Sequence, residues 1–144
     1  EVTKTPAVPS NLAIAPSDAF LFDRSSKLSF EQGTPEQKIV ASVDWSLGDF
    51  GATLKVTSYD SVLLANNNAA LDYETGDALL VDLEGRYTLP FGVSLAVGVN
   101  NLTDEYPTAT PTNINGATGS VGYPSYSPYG FNGRFFYGRL SYNF

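Results

Sequence analysis

The segment from Phe135 to Phe144 reads as a strand with two unlike faces that ends on an aromatic residue. Steps of two place Phe136, Gly138, Leu140, Tyr142 and Phe144 on one side, and Phe135, Tyr137, Arg139, Ser141 and Asn143 on the other. Chain ends fray unless something holds them, so an apolar last strand needs a partner. A closed transmembrane barrel supplies one, because its last strand pairs with its first and one face meets hydrocarbon.

The same period of two recurs upstream. Ile39, Ala41, Val43, Trp45 and Leu47 alternate with Lys38, Val40, Ser42, Asp44 and Ser46, and Gly48-Asp49 then forms a hairpin turn. Phe50, Ala52, Leu54 and Val56 alternate with Gly51, Thr53, Lys55, Thr57 and Tyr59. Leu79, Val81, Leu83, Gly85, Tyr87 and Leu89 oppose Leu80, Asp82, Glu84, Arg86 and Thr88. After a turn at Pro90-Phe91-Gly92, Val93, Leu95, Val97 and Val99 alternate with Ser94, Ala96, Gly98 and Asn100. These patterns predict strands at about 38–47, 50–59, 78–89, 92–101 and 132–144. Long loops fall at about 6–37, 60–77 and 102–131, and helical signals are poor. Strands of about ten residues match the nine to eleven needed to cross a bilayer. Short turns that alternate with long loops are a further mark of outer-membrane barrels.

Composition excludes several classes. With 8 Lys and Arg against 15 Asp and Glu, the net charge is −7, which disfavours a nucleic-acid partner. Cysteine and histidine are both missing, so no disulfide framework, thiolate site or imidazole base is expected. No apolar run is long enough for a membrane helix, but barrel strands never show one.

The segment Val97-Gly98-Val99-Asn100-Asn101-Leu102-Thr103-Asp104-Glu105-Tyr106-Pro107, a Tyr-rich loop, Gly133-Arg134-Phe135-Phe136 and the aromatic terminus resemble the carboxy-terminal end of TonB-dependent outer-membrane receptors. The stretch from Leu21-Phe22-Asp23-Arg24 to Thr34-Pro35-Glu36-Gln37-Lys38 is also similar to members of that family. The resemblance implies an all-β fold of antiparallel amphipathic strands, the last part (about five strands) of a 22-stranded transmembrane barrel in the bacterial outer membrane. It further implies active import of a scarce nutrient, most often an iron–siderophore complex. The partners would be the plug and remaining strands, the TonB complex, outer-membrane lipid and the barrel-assembly machinery. The plug and the TonB box are not in this stretch, so the chain is expected to be a fragment of the whole receptor. Five strands are too few to close around a plug. No cofactor, metal or enzymatic activity is implied. The rival readings are a soluble β-sandwich that binds a ligand or carbohydrate, and a passive porin-like channel.

Particular residues carry particular expectations. Leu140, Tyr142 and Phe144 resemble the signal by which barrel strands are recognised for assembly, and otherwise serve as lipid-facing wall. Lys38, Asp44, Lys55, Asp82, Glu84, Arg86 and Arg139 share polar faces and are expected to form a lumenal charge ladder. Trp45, Tyr87 and Tyr142 suit an interfacial aromatic girdle. Tyr106, Tyr123, Tyr126 and Tyr129 are candidate ligand contacts in an outer loop, or simply pack that loop. Asp72, Glu74 and Asp77 with Asn66 to Asn68 offer oxygen ligands, but their spacing fits solvated charge better than a calcium loop. Asp82 and Glu84 lie about 6.5 Å apart by strand geometry, a glycosidase-like separation. Arg86 continues their row, which favours salt bridging over catalysis.

Overall fold

The computed structural model describes residues 23–115, 122–124 and 126–142. In chain order these form α1 (Arg24–Gln32), β1 (Lys38–Leu47), β2 (Phe50–Tyr59), β3 (Leu63–Leu64), β4 (Tyr73–Glu74), β5 (Ala78–Leu89), β6 (Val93–Asn100), α2 (Thr112–Asn115) and β7 (Phe135–Tyr142). The fold is mostly antiparallel sheet. β1, β2, β5, β6 and β7 form one five-stranded sheet in that order, and β3 pairs with β4 in a small separate ladder. The sheet stays open, with β1 and β7 as its edges.

Two compact units divide the chain. The sheet unit comprises the described residues of 37–60, 77–107 and 129–144; the loop unit comprises those of 1–36, 61–76 and 108–128.

The predicted strands agree with β1, β2 and β5 at both ends, and β6 and the last strand differ at their ends, β6 running Val93–Asn100 and β7 Phe135–Tyr142. Phe144, Leu21 and Phe22 lie outside the described residues. The expected loops at 6–37, 60–77 and 102–131 need correction, because α1 lies in the first, the β3–β4 ladder in the second and the short α2 in the third. The cause of α1 is its caps. Asp23 is extended and accepts from the Ser26 N–H, and at Gly33 a Cβ would sit 2.1 Å from the Ser29 carbonyl. The helix buries no residue, so apolar periodicity carried no trace of it.

Register gives the sheet its character. Residues directly opposite in an antiparallel pair share a face. One row therefore runs Leu47–Phe50–Tyr87–Leu95–Leu140, the next Trp45–Ala52–Gly85–Val97–Gly138, and the next Val43–Leu54–Leu83–Val99–Phe136. A fourth row, Leu89–Val93–Tyr142, lies at the end of the short turns. No described layer covers this side: Leu140 is 72% exposed, Val97 59% and Leu95 42%. From Leu79 to Leu89 is about 33 Å along β5 at the usual rise per residue. A strand of that length would stand about 25 Å tall at the tilt of about 40° usual in transmembrane barrels.

Aromatic residues gather at the short-turn end of this side. Phe50 and Tyr87 rings lie 4.6 Å apart, next to the row of Trp45 and near Tyr142. The turn at Pro90–Gly92 holds Phe91 at φ 68, a left-handed conformation that costs a non-glycine residue about 1 kcal/mol or more. Phe91→Asn is expected to raise stability by about 1 kcal/mol. Chemical unfolding checks it, and an unchanged midpoint would contradict the strain.

Candidate functional site

The other side of the sheet carries the charges. Gly48, at φ 57, closes the β1–β2 turn and fixes a register in which Asp44 meets Thr53 and Ser46 meets Gly51. The next pairs set Thr53 against Glu84, Lys55 against Asp82 and Gly51 against Arg86. Residues far apart in sequence are thus brought together on one face.

Thr53 Oγ1 donates to Asp44 at 2.5 Å and accepts from Arg86 Nη1 at 2.6 Å. Arg86 also reaches Glu84 at 3.2 Å and Asp44 at 3.5 Å. Arg139 approaches the same Glu84 carboxylate at 3.3 Å, and the Tyr137 hydroxyl donates to it at 2.9 Å. Lys55 pairs with Asp82 at 2.7 Å. Of the seven charges expected in the ladder, six are drawn into ion pairs; Lys38 instead stands over the Tyr59 ring at 5.0 Å.

Small residues on β6 make the long reach possible. Gly98 lies between Glu84 and Tyr137, and Ala96 between Arg86 and Arg139. A Cβ at Gly98 would fall 2.4 Å from Tyr137 Cζ, so the phenol crosses over a bare backbone to reach Glu84. Arg86 lies over Gly51 in the same way, its Nε 3.3 Å from where a Cβ would be. Thr53, Gly98 and Tyr137 were not anticipated as members of the network. Their signal in the sequence was register, which alternation alone does not supply.

The segment after β6 folds into a clasp. Asn101 (φ 53) and Asp104 (φ 61) both take left-handed backbone, a conformation that Asn and Asp tolerate best after glycine. Asn101 donates through Nδ2 to the Glu105 carbonyl at 2.8 Å and accepts the Glu105 N–H at 2.9 Å. Its own N–H donates to Asp82 at 2.9 Å, and Leu102 N–H to the Val81 carbonyl at 2.7 Å. Asp104 Oδ1 then accepts the Arg134 N–H at 2.8 Å, directly before β7. Gly133, at φ 65, packs on Tyr106, where a Cβ would be 2.1 Å from the phenol oxygen. The Asn101-Leu102-Thr103-Asp104 segment and the Gly133-Arg134 pair are therefore joined just before the last strand begins.

The four tyrosines do not form a single set. Tyr106 packs in the clasp, and Tyr129 lies against Tyr59 with centroids 5.6 Å apart, both in the sheet unit. Tyr123 and Tyr126 belong to the loop unit, where Tyr126 lines a cavity of about 430 Å3 with Leu63, Leu71 and Tyr73.

No protein-family model matches this chain, and no curated protein or solved structure matches it either.

In the loop unit, Arg24 grips Asp72 with both guanidinium nitrogens, at 3.0 and 2.6 Å, and also bonds the Asn66 carbonyl. Asn66 N–H donates to the same carboxylate at 2.7 Å, and Asn67 Nδ2 to Asp23 at 2.7 Å. The acids that offered oxygen ligands are thus split, with Asp72 engaged by Arg24; among the described residues no cluster suited to a metal occurs. Hydrogen bonds from Arg24 and then Asn66 lower Asp72 from its ordinary 3.8 to about 2. Hydrogen bonds from Ser26 and Asn67 hold Asp23 well below the usual carboxylate range.

A carboxyl depressed in the folded state contributes stability above its unfolded pKa and loses that contribution as pH falls through the folded value. The Arg24–Asp72 tether should therefore hold above about pH 4 and release towards about pH 2, with the Asn66 amide NMR signal moving over that window. Asp72→Asn should abolish the transition; a midpoint near 3.8 in the unaltered protein would show that the carboxylate is not engaged. For the clasp, Gly133→Ala should cost about 1–3 kcal/mol from backbone strain, with further loss from overlap with Tyr106. Gly130→Ala also meets positive φ but no neighbour within 4 Å, so thermal unfolding should show the smaller loss there.

Proposed function

We propose that this chain is wall of a transmembrane β-barrel in a bacterial outer membrane, and part of a TonB-dependent receptor that imports a scarce nutrient. One observation carries the reading: five aligned strands present an apolar face that no described layer covers. A soluble sandwich buries that face against a second sheet. Hydrocarbon is the solvent that suits it, because the interior strands β2, β5 and β6 each have a hydrogen-bonded neighbour on both sides.

The unpaired edges of β1 and β7 call for further strands, up to the 22 that the resemblance implies. The polar face then lines the lumen, where its ion pairs stiffen the wall. Outward-facing Leu140 and Tyr142 fit an assembly signal read as an exposed amphipathic strand, which Phe144 would extend. The short-turn aromatics sit at one membrane interface and the loop unit belongs outside the cell. Import is powered through the plug and the TonB complex, which the rest of the receptor would supply. The resemblance alone names an iron–siderophore complex as cargo. Asp82 and Glu84 fit a structural role better than catalysis, since Lys55 engages one and Arg86, Arg139 and Tyr137 the other.

A paired substitution tests the reading. Val97→Arg, in the middle of the apolar band, should cost about 2–4 kcal/mol of folding in lipid vesicles. Ser141→Arg, exposed on the polar side opposite Ser94, should be nearly silent. Recovery of the protein in the aqueous fraction, with both variants equally tolerated, would sink the proposal.

A further inference from the structure

The polar face changes character away from the short turns. Its charged half gives way to Val40, Leu80, Tyr59 and Phe135, although each occupies a position that alternation assigns to water. Phe135 is the clearest departure. It is 59% exposed and directly opposite Asn100, on the side of Glu84 and Arg139 rather than the apolar side. Single exposed aromatics are common on proteins. This one lines a concavity of about 630 Å3, within the range of small-molecule sites.

The other walls are chemically mixed. Tyr129 supplies a second ring, held against Tyr59 at 5.6 Å. Asn100 and Asn132 supply carboxamides that both donate and accept, and Asp82 and Glu105 supply carboxylates. Gly130 (φ 76) and Gly133 (φ 65) bring bare backbone to the rim, and at Gly130 a Cβ would enter open space. Rings that offer a flat apolar surface, beside groups that satisfy hydroxyls from the edge, fit a ligand of matching build. That ligand is a hydroxylated ring with an apolar face. A purely apolar ring would leave the amides and carboxylates without exchange for their water, at a cost in affinity.

Charge narrows the class. Lys55 is the cation at the site, and Asp82 neutralises it at 2.7 Å. Glu105 then leaves the cavity with a negative balance, in a chain that is already at −7. An anionic chelate or phosphorylated compound would meet repulsion. We infer that this outer end of the polar face binds a neutral saccharide, with one ring stacked on Phe135 and its hydroxyls bonded by Asn100, Asn132 and the carboxylates. The inference deepens the transporter reading and rests on it for the role of the sugar as cargo, replacing the iron chelate that resemblance suggests.

The test uses the intact protein that contains this chain, folded in detergent, and neutral α- and β-linked glucan oligosaccharides of two to six units. Calorimetric titration should show saturable binding, weakened about tenfold or more by Phe135→Ala. Asn132→Trp, which fills the cavity from an exposed position, should do the same, and Thr88→Ala at the opposite end should change nothing. A ferric tris-catecholate serves as the anionic probe. Binding of that probe, sensitive to Phe135→Ala while glucans give no signal, would overturn the neutral assignment. Glucan binding that survives both cavity variants would overturn the location, and no binding of either probe would overturn the site. Membrane fractionation separates the two readings. A protein of the outer membrane that ignores glucans defeats only this inference, whereas a glucan binder recovered from the aqueous fraction defeats only the transporter.

Discussion

A single-layer sheet in water is not a stable arrangement, because each face needs either a packing partner or a solvent of matching polarity. The five-stranded sheet has opposite needs on its two sides, and cross-strand register sharpens the contrast by aligning like with like. Leu47, Phe50, Tyr87, Leu95 and Leu140 form one continuous apolar row, and on the reverse Ser46, Gly51, Arg86, Ala96 and Arg139 form another of quite different chemistry. A slip of one residue in any pair would bring charge onto the apolar side and apolar groups among the ion pairs. Register is therefore the property on which packing, solvent preference and the charge network all depend.

The network shows how register acts through small residues as much as through charged ones. Exposed ion pairs contribute little singly, typically well under about 1 kcal/mol. Here Glu84 accepts from three side chains at once, two of them arriving from β7 across β6. Tyr137 and Arg139 reach it because Gly98 and Ala96 leave a trough along β6. The trough is more specific than the charges, since a larger side chain at either place would part β5 from β7 on this face. At the far end the clasp continues the same logic. Asn101 and Asp104 accept unusual backbone so that one carboxylate, Asp104, can bond the chain just before β7.

Much of this could be read from alternation. The five long strands, the two faces and the short turns follow from period two, and six of the seven ladder charges do meet. What alternation missed has physical reasons. α1 buries no side chain and stands on polar tethers from Asp23, Arg24 and Ser25, so it lacks a hydrophobic stripe. β3 and β4 have two residues each, too few for any period to show. The roles of Thr53 and Tyr137 depend on which residues stand opposite, information held in turn geometry and not in either strand alone. The tyrosines of the long loop share composition but not location, because they belong to two separately packed units.

The distribution of charge bears on what such a wall would admit. On the polar face, Lys38, Lys55, Arg86 and Arg139 nearly balance Asp44, Asp82 and Glu84, although the whole chain is at −7. The acid excess therefore lies off that face, in turns and loops such as those of Asp49, Asp60, Asp77, Asp104 and Glu105. Loops that carry negative charge repel anions at a distance of about 8–10 Å in physiological salt, before any side chain makes contact. The near-neutral polar face offers little compensating positive charge, because Lys55, Arg86 and Arg139 are engaged by carboxylates and only Lys38, over the Tyr59 ring, is not paired with an acid among the ion pairs described. If the sheet is the wall of a barrel as proposed, loops and wall would discriminate in the same sense, against anionic solutes and in favour of neutral ones that can stack and hydrogen-bond.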